Sequence, residues 1–314
     1  MTTTQGWFAD VTFDPDADDD GLIAAIGEGT AGEPDSWPAR AVEAGVVEDE
    51  GAYYDLLHRA TMAATRATVT ERERADDSQL IHAIRAMDDC QRTANELAER
   101  VAEWGGTLDP DAGTGIEYAR ELASSEPEPG ETAVVSLAEQ VAGLEEEAER
   151  LGEYIEQTMP AVAPNLTALA GPVLGARLIS LAGGLESLAK KPSGTVQVLG
   201  AEDALFAHLR GHAPSPKHGI IYMHDGVRKT PMENRGSAAR ALAGKVSIGA
   251  RVDHYSGEYR PDLEAELTER LETIRARTGD EYDGGPEGGD AVVDTDSVAD
   301  AGAAEDANGG ELDE

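Results

Sequence analysis

LIHAIRAMDDCQRTANELAERV, residues 80–101, sets Leu80, Ile84, Met87, Gln91, Ala94, Ala98 and Val101 alternately four and three residues apart. That spacing holds one stripe of side chains on a single side of an α-helix and turns the neighbouring charges away from it. Ser78 or Asp77 stands where a helix N-cap belongs. A second stripe repeats the spacing through Val134, Leu137, Val141, Leu144, Ala148, Leu151 and Ile155. Glu139, Glu145, Glu146, Glu149, Glu153 and Glu156 lie off it. Two helices of about 25 residues, each about 37 Å long, are predicted. They are joined by an irregular connector containing Gly105, Gly106, Pro110, Gly113 and Gly115. A surface helix of a globular domain would explain either stripe singly, but two matched stripes in succession favour an antiparallel coiled-coil hairpin. Neither stripe can be buried alone, so each needs the other or a second copy of the chain. The expected self-association contacts are Leu80, Ile84, Met87, Val101, Val134, Leu137, Val141, Leu144, Leu151 and Ile155.

Outward from the hairpin the pattern weakens. Pro160 and Pro164 mark a boundary, and residues 161–278 form an alanine- and glycine-rich region of helical character. Residues 279–314 combine Gly-Gly pairs and acids with almost no large apolar group, the composition of a disordered acidic tail. Residues 1–75 read as a reduced N-terminal α/β domain. Trp7, Phe8, Val11 and Phe13 suggest one short strand, Asp14 to Gly21 a break, and Asp55 to Val69 a helix with Leu56, Leu57, Ala60 and Ala64 inward. The expected chain is therefore mainly α in four parts: 1–75, a coiled-coil hairpin at 76–160, an all-α domain at 161–278 and a tail at 279–314.

The formal charge of −37 argues at first against nucleic acid as a partner. Its distribution argues the other way. Residues 171–260 carry all five lysines and seven arginines against seven acids, an excess of five positive charges, while the remainder is at −42. A chain this acidic that keeps one basic island reserves it for an anion, unless those groups simply pair with nearby acids. Scarce lysine, 4% aromatics and acids in every segment resemble cytoplasmic proteins of salt-accumulating haloarchaea; an acidic disordered protein is the alternative, which the helical periodicity disfavours. Cys90 is the single cysteine, so no intramolecular disulfide forms. No apolar run approaches the roughly 18 residues of a membrane span, and the start lacks a secretory pattern. A reducing cytoplasm and no membrane are the expectation.

Within the island, Arg240, Gly244, Ser247 and Arg251 recur at four, three and four residues and so share a helix face, small in the middle and cationic at both ends. That face suits close approach of a phosphate backbone, with guanidinium forks to hold it. Ala239, Leu242, Val246 and Val252 are the candidates for the opposite, core-facing side. The competing reading pairs Arg240 and Arg251 with Glu233, Asp253 or the hairpin glutamates. Lys190 and Lys191 suit C-terminal capping as well as RNA contact. Lys217 and His218 sit in a loop between Pro216 and Gly219, where exposed backbone favours function. Histidines 208, 212, 218, 224 and 254 invite a metal reading, but no thiolate accompanies them and no glutamate stands between His208 and His212 in the metalloprotease manner. No metal site is expected. Asp111, Gly113 and Gly115 imitate the glycine-rich loop of an adenosylmethionine enzyme, yet the preceding Glu103 to Pro110 is no strand and no βα series follows. No catalytic residues and no cofactor are expected, and Cys90 reads as packing.

Residues 161–200 read AVAPNLTALAGPVLGARLISLAGGLESLAKKPSGTVQVLG and run on into AEDALFAHL. With PKHGIIY at 216–222, NRGSAARALAGKVSIGARVD at 234–253 and LIHAIRAMDDCQRTANELAERVAEW at 80–104, this closely resembles, block by block and in order, the Nop domain of archaeal and nucleolar box C/D core proteins and a spliceosomal relative. The resemblance covers about residues 78–260. It implies an all-α Nop domain behind a self-associating coiled-coil hairpin, a homodimer, and an N-terminal domain that docks the methyltransferase fibrillarin. It further implies a non-catalytic scaffold for guided RNA 2′-O-methylation, recognising a composite of a kink-turn guide RNA and the ribosomal-type protein bound to it. The RNA-facing residues implied are Gly200, Ala201, Glu202, Lys217, His218, Arg235, Arg240, Lys245 and Arg251. The sequence departs from the family at Asp203, where lysine is usual, at Ser237, often basic, and at Gly184, commonly serine; the first two remove positive charge. The N-terminal domain is shortened and matches poorly.

Overall fold

The computed structural model describes residues 6–8, 19–28 and 35–277. The acidic tail expected at 279–314 lies outside them, as do Val11 and Phe13 of the expected N-terminal strand. The chain divides into two compact units, residues 1–78 and 79–314. Among the described residues both are built from helices and turns, with no strand.

In the first unit, α1 (Asp20–Glu28), α2 (Trp37–Glu43) and α3 (Glu50–Arg74) enclose a small core. Asp49 caps α3, its carboxylate accepting from the Ala52 N–H at 2.8 Å. Tyr53, Leu56, Ala60 and Ala63 fall three and four apart on the buried side of α3. Tyr53, Leu56 and Ala60 meet Phe8, Leu22, Ala41 and Val47, and Trp7 donates from Nε1 to the Tyr53 hydroxyl at 3.2 Å. The helix expected at 55–69 is thus longer at both ends. Trp7 and Phe8 lie in a turn, and the α/β character expected here is replaced, in the described residues, by helices alone.

The second unit holds the hairpin and everything after it. Its first helix, α4 (Asp76–Leu108), begins two residues before the expected cap and continues through Gly105 and Gly106. Asp77 and Ser78 bond instead to Arg72. After a loop come α5 (Gly115–Ala123) and α6 (Thr132–Val162). The connector expected to be irregular therefore contains a helix, α5, which packs on α6 and is pinned by Arg120 to Glu145 at 2.6 Å and Glu149 at 3.1 Å. Ala94, Ala98 and Val101 of α4 meet Ala119, Val134, Ala138 and Val141 in one buried cluster. Nearer the root, Leu80, Ile84 and Met87 join Ala148 and Ile155.

Beyond Pro160, in the last turn of α6, the chain folds back through α7 (Pro164–Ala170), α8 (Pro172–Ala182), α9 (Leu185–Lys190), α10 (Ser193–Gln197) and α11 (Glu202–Leu209). Then come α12 (Asp225–Arg228), α13 (Arg235–Tyr255) and α14 (Pro261–Arg275), with short 3₁₀ turns at Ile220–Met223 and Met232–Asn234. Helix α13 is the central rod, packed by α7, α9, α10 and α14. Gly249 lets α7 come close, since a Cβ there would stand 2.8 Å from Leu169 and 3.3 Å from Asn165. The hairpin root belongs to the same core, for Leu80, Ile84 and Ile155 share one cluster with Leu178, Leu188, Ile221 and Leu242. Arg177 of α8 reinforces it, gripping Asp88 of α4 at 2.5 Å. The hairpin and the following domain, expected as separate parts divided at residue 160, are thus one compact unit. Among the described residues no single helix is long and apolar enough to cross a membrane.

Candidate nucleic-acid interface

Short stretches of backbone bring two distant loops together. The Gly219 N–H donates to the Gln197 carbonyl at 2.9 Å and the Ile220 N–H to the Leu199 carbonyl at 2.7 Å. The Gln197 amide donates to the Lys217 carbonyl at 2.6 Å. The approach is so close that a Cβ on residue 219 would lie 2.0 Å from the Leu199 oxygen, which leaves glycine as the residue that fits. Gly200 and Ala201, at the start of α11, are thereby placed beside Lys217 and His218.

Three side chains then stack. The His218 ring lies on Tyr222 with centroids 4.7 Å apart and planes 20° apart, and the Arg235 guanidinium sits 5.4 Å from the Tyr222 centroid. Arg235 is held further by the carbonyls of Thr230 at 3.1 Å and Arg228 at 3.5 Å. Gly236 runs alongside Lys217, whose Cδ would be 3.8 Å from a Cβ there. Lys217 and Arg235, apart in sequence, form one cationic edge with the His218 and Tyr222 rings between them. Tyr222, which completes it, escaped the sequence reading; its signal was four-residue spacing from His218.

Glu202 plays a local part, accepting the Gly200 N–H at 2.9 Å at the first turn of α11. What the sequence did not show is the character of α11 itself. None of its residues is buried, and Phe206 and Leu209 are 54% and 71% exposed. Two large apolar side chains therefore stand exposed on α11, behind the acidic first turn of Glu202 and Asp203, in the unit that carries the cationic edge.

Along α13 the expected face needs correction. Arg240 is exposed, with no ion pair or hydrogen bond among the described residues. Gly244 opens onto empty space. Ser247, however, is buried at 3% exposure, its hydroxyl without a partner among the described residues. Several helices pack on α13, and its Ser247 side is covered. The exposed stripe runs instead through Arg240, Gly244, Ile248, Arg251 and Tyr255, within about 80° of arc. Arg251 donates from Nε to the Ala189 carbonyl at 3.0 Å, at the end of α9. Lys245 is diverted into an ion pair with Glu266 of α14.

The self-association residues are placed differently from expectation. Leu80, Ile84, Met87, Val101, Val134, Val141 and Ile155 are buried within one chain, and Leu137, Leu144 and Leu151 pack against the same clusters. The seam closes the hairpin on itself, and Leu137, Leu144 and Leu151 stay partly exposed along it. Cys90 packs half-buried on the core. The histidines serve separate purposes: His208 Nδ1 lies 3.0 Å from the Ala213 carbonyl, and His224 accepts the Gly226 N–H at 2.9 Å as the N-cap of α12. Burial holds the His224 pKa below its ordinary value. The segment leading into Asp111 is the end of α4, where the adenosylmethionine motif requires a strand.

An all-helical unit with a cationic edge and exposed apolar side chains on α11 belongs to the class of helical recognition modules. Residues 116–273 match the family model for Nop, described as "snoRNA binding domain, fibrillarin". Among curated relatives, an uncharacterized NOP5 family protein of Methanocaldococcus jannaschii is 36% identical over 274 residues, 75% of this chain and 66% of its own length. Nucleolar protein 58 of Botryotinia fuckeliana is 38% identical over 218 residues, 57% of this chain. The chain spans about two thirds of the length of the first relative and 38% of the second. A chain in the crystal structure of a fibrillarin/Nop5p complex superposes with a TM-score of 0.48 at 25% identity, over 82% of this chain and 91% of that one. The chain belongs to the Nop family.

Proposed function

We propose that this chain is the RNA-binding scaffold of a box C/D guide ribonucleoprotein, with no catalytic residues of its own. It holds the methyltransferase fibrillarin at the nucleotide chosen by the guide for 2′-O-methylation. The observation that carries this reading is the pairing of the 197–201 and 217–220 backbones. That pairing puts the cationic edge of Lys217 and Arg235, with the His218 ring between them, beside the start of α11, whose Phe206 and Leu209 are exposed. RNA phosphates suit the first and a protein surface suits the second, which supports recognition of a kink-turn RNA together with the small ribosomal-type protein already bound to it. The N-terminal unit is the proposed fibrillarin dock. Gly200 and Ala201 bring α11 to the edge, and Arg240 and Arg251 extend the cationic surface along α13, while the ammonium of Lys245 is taken up by Glu266. A homodimer, in the cytoplasm of an archaeal cell, completes the proposal. Names of the relatives and the family description support it.

A gel-shift titration of the full chain against kink-turn RNA, with and without the kink-turn protein, tests the reading. Tight binding only with the protein present is expected. Equal affinity in both cases overturns composite recognition, and no binding in either overturns the RNA role.

A further inference from the structure

The C-terminal half of α13 surrounds Arg251 with groups that the composite surface leaves unused. Ile248, Arg251 and Tyr255 follow one another at three and four residues and are all exposed, Ile248 at 41% and Tyr255 at 68%. Tyr255 is steadied by His254, whose ring lies 4.6 Å away at 63°, an edge contact that leaves most of the tyrosine in solvent. Arg251 is fixed by its bond to the Ala189 carbonyl, which aligns it with Lys190 and Lys191 at the end of α9. Lys190 is paired with Glu186 at 2.5 Å, whereas Lys191 has no partner among the described residues. The acid on the next turn, Asp253, is buried and directed to α7. The stripe itself thus carries two arginines, an exposed tyrosine and no carboxylate. From Arg240 to Tyr255 it extends about 22 Å, to the end of α13 far from the Lys217, His218 and Arg235 edge.

We infer that this end of α13 is a second RNA contact, where an unpaired nucleotide beyond the folded RNA motif stacks its base on Tyr255 and sets its phosphate against Arg251 and Lys191. The inference rests on the RNA-scaffold reading and adds a single-stranded ligand to it. Positive groups that follow a backbone, combined with an aromatic ring that accepts any base, are the elements of single-strand binding. A pre-fixed guanidinium adds directional hydrogen bonds to the phosphate. A protein partner is the competing occupant; the two arginines and the absence of acids on the stripe favour RNA, the neighbouring carboxylate of Glu186 being held by Lys190.

The test uses the full chain, the kink-turn protein and two RNAs, one a blunt-ended kink-turn stem and the other the same stem with a six-nucleotide uridine extension. The extension is expected to tighten binding by about fivefold to tenfold. Tyr255→Ala should abolish that gain and leave the blunt stem's affinity unchanged, Tyr255→Phe should keep it, and Lys191→Ala should reduce it. A gain that survives Tyr255→Ala overturns the inference while leaving the scaffold reading intact. No gain from the extension, with blunt-stem affinity weakened by Tyr255→Ala, assigns the stripe to the protein partner and also overturns it. Failure of both RNAs to bind the wild-type chain overturns inference and scaffold reading together.

Discussion

Asp253 of α13 caps α7 across the core: its carboxylate accepts the backbone N–H of Asn165, 88 residues earlier, at 3.0 Å and the Asn165 side-chain amide at 2.6 Å. The Leu166 N–H joins them at 2.9 Å. Asn165 in turn donates to the Glu258 carbonyl at 2.8 Å and accepts the Arg260 N–H at 2.7 Å. Helix α7 has no capping side chain at Ala163, so a remote acid supplies what its own sequence lacks. Burial raises the Asp253 pKa against the pull of these donors. Asp253→Asn replaces an acceptor oxygen by a donor facing N–H groups and should cost about 2–3 kcal/mol. Urea denaturation followed by circular dichroism measures it, and a change within about 0.5 kcal/mol would remove Asp253 from the stabilising set.

Gly219→Ala tests the loop pairing. The added methyl falls on the Leu199 carbonyl, and because that neighbour is backbone the two loops must separate. A loss of about 1–3 kcal/mol is expected, together with weaker binding of protein-bound kink-turn RNA, because His218 and Lys217 move with the loop. Unchanged affinity in a folded variant would take this edge out of the RNA surface.

His224 makes stability depend on pH. Its folded pKa lies below the ordinary value of 6.5, with burial the largest cause and Arg275 adding to it, against Asp225 and a bond to Leu169. Below that ordinary value the unfolded chain binds a proton that the folded one resists, so stability falls as pH drops from about 6.5 toward the folded value. His224→Asn keeps an N-cap acceptor for Gly226 without a titrating ring. Melting temperatures at about pH 7.5 and pH 5.5 should diverge less in the variant than in the wild type; an equal divergence refutes the assignment.

Val141, fully buried between the hairpin helices, separates an internal seam from an interface between copies. Val141→Glu places a charge among Ala94, Ala98 and Val134 and should cost several kcal/mol. Loss of helicity is expected to accompany any change in mass seen by light scattering. A smaller species with full helicity would instead return the seam to the subunit interface.

Arg240 and Arg251 differ in what they lose. Arg240→Ala removes an exposed, unpaired charge, so stability should hold within about 0.5 kcal/mol while the salt slope of RNA binding falls by about 1. Arg251→Ala also releases the Ala189 carbonyl and should cost about 1 kcal/mol of stability. Titrations at several potassium chloride concentrations distinguish them. If both variants bind like the wild type at every salt, the α13 stripe is not an RNA face.

The sequence by itself determined the helical character, because spacings of three and four residues decide which side of a helix is apolar whatever it packs against. It marked the two long hairpin helices, placed the break between them, and gathered the cations into one island. Ordered blocks from residue 80 to residue 253 were enough to suggest the family. Three things required the tertiary structure. Whether the stripes at 80–101 and 134–155 meet each other or another copy depends on the partner surface, which spacing does not contain. The face of α13 holding Ser247 was assigned to solvent by spacing, but tertiary packing buries Ser247 and leaves Ile248 and Tyr255 outward. The stack of His218, Tyr222 and Arg235 and the cap that Asp253 places on α7 join residues far apart in the chain. Such contacts follow from the path of the backbone, and no local pattern of residues encodes that path.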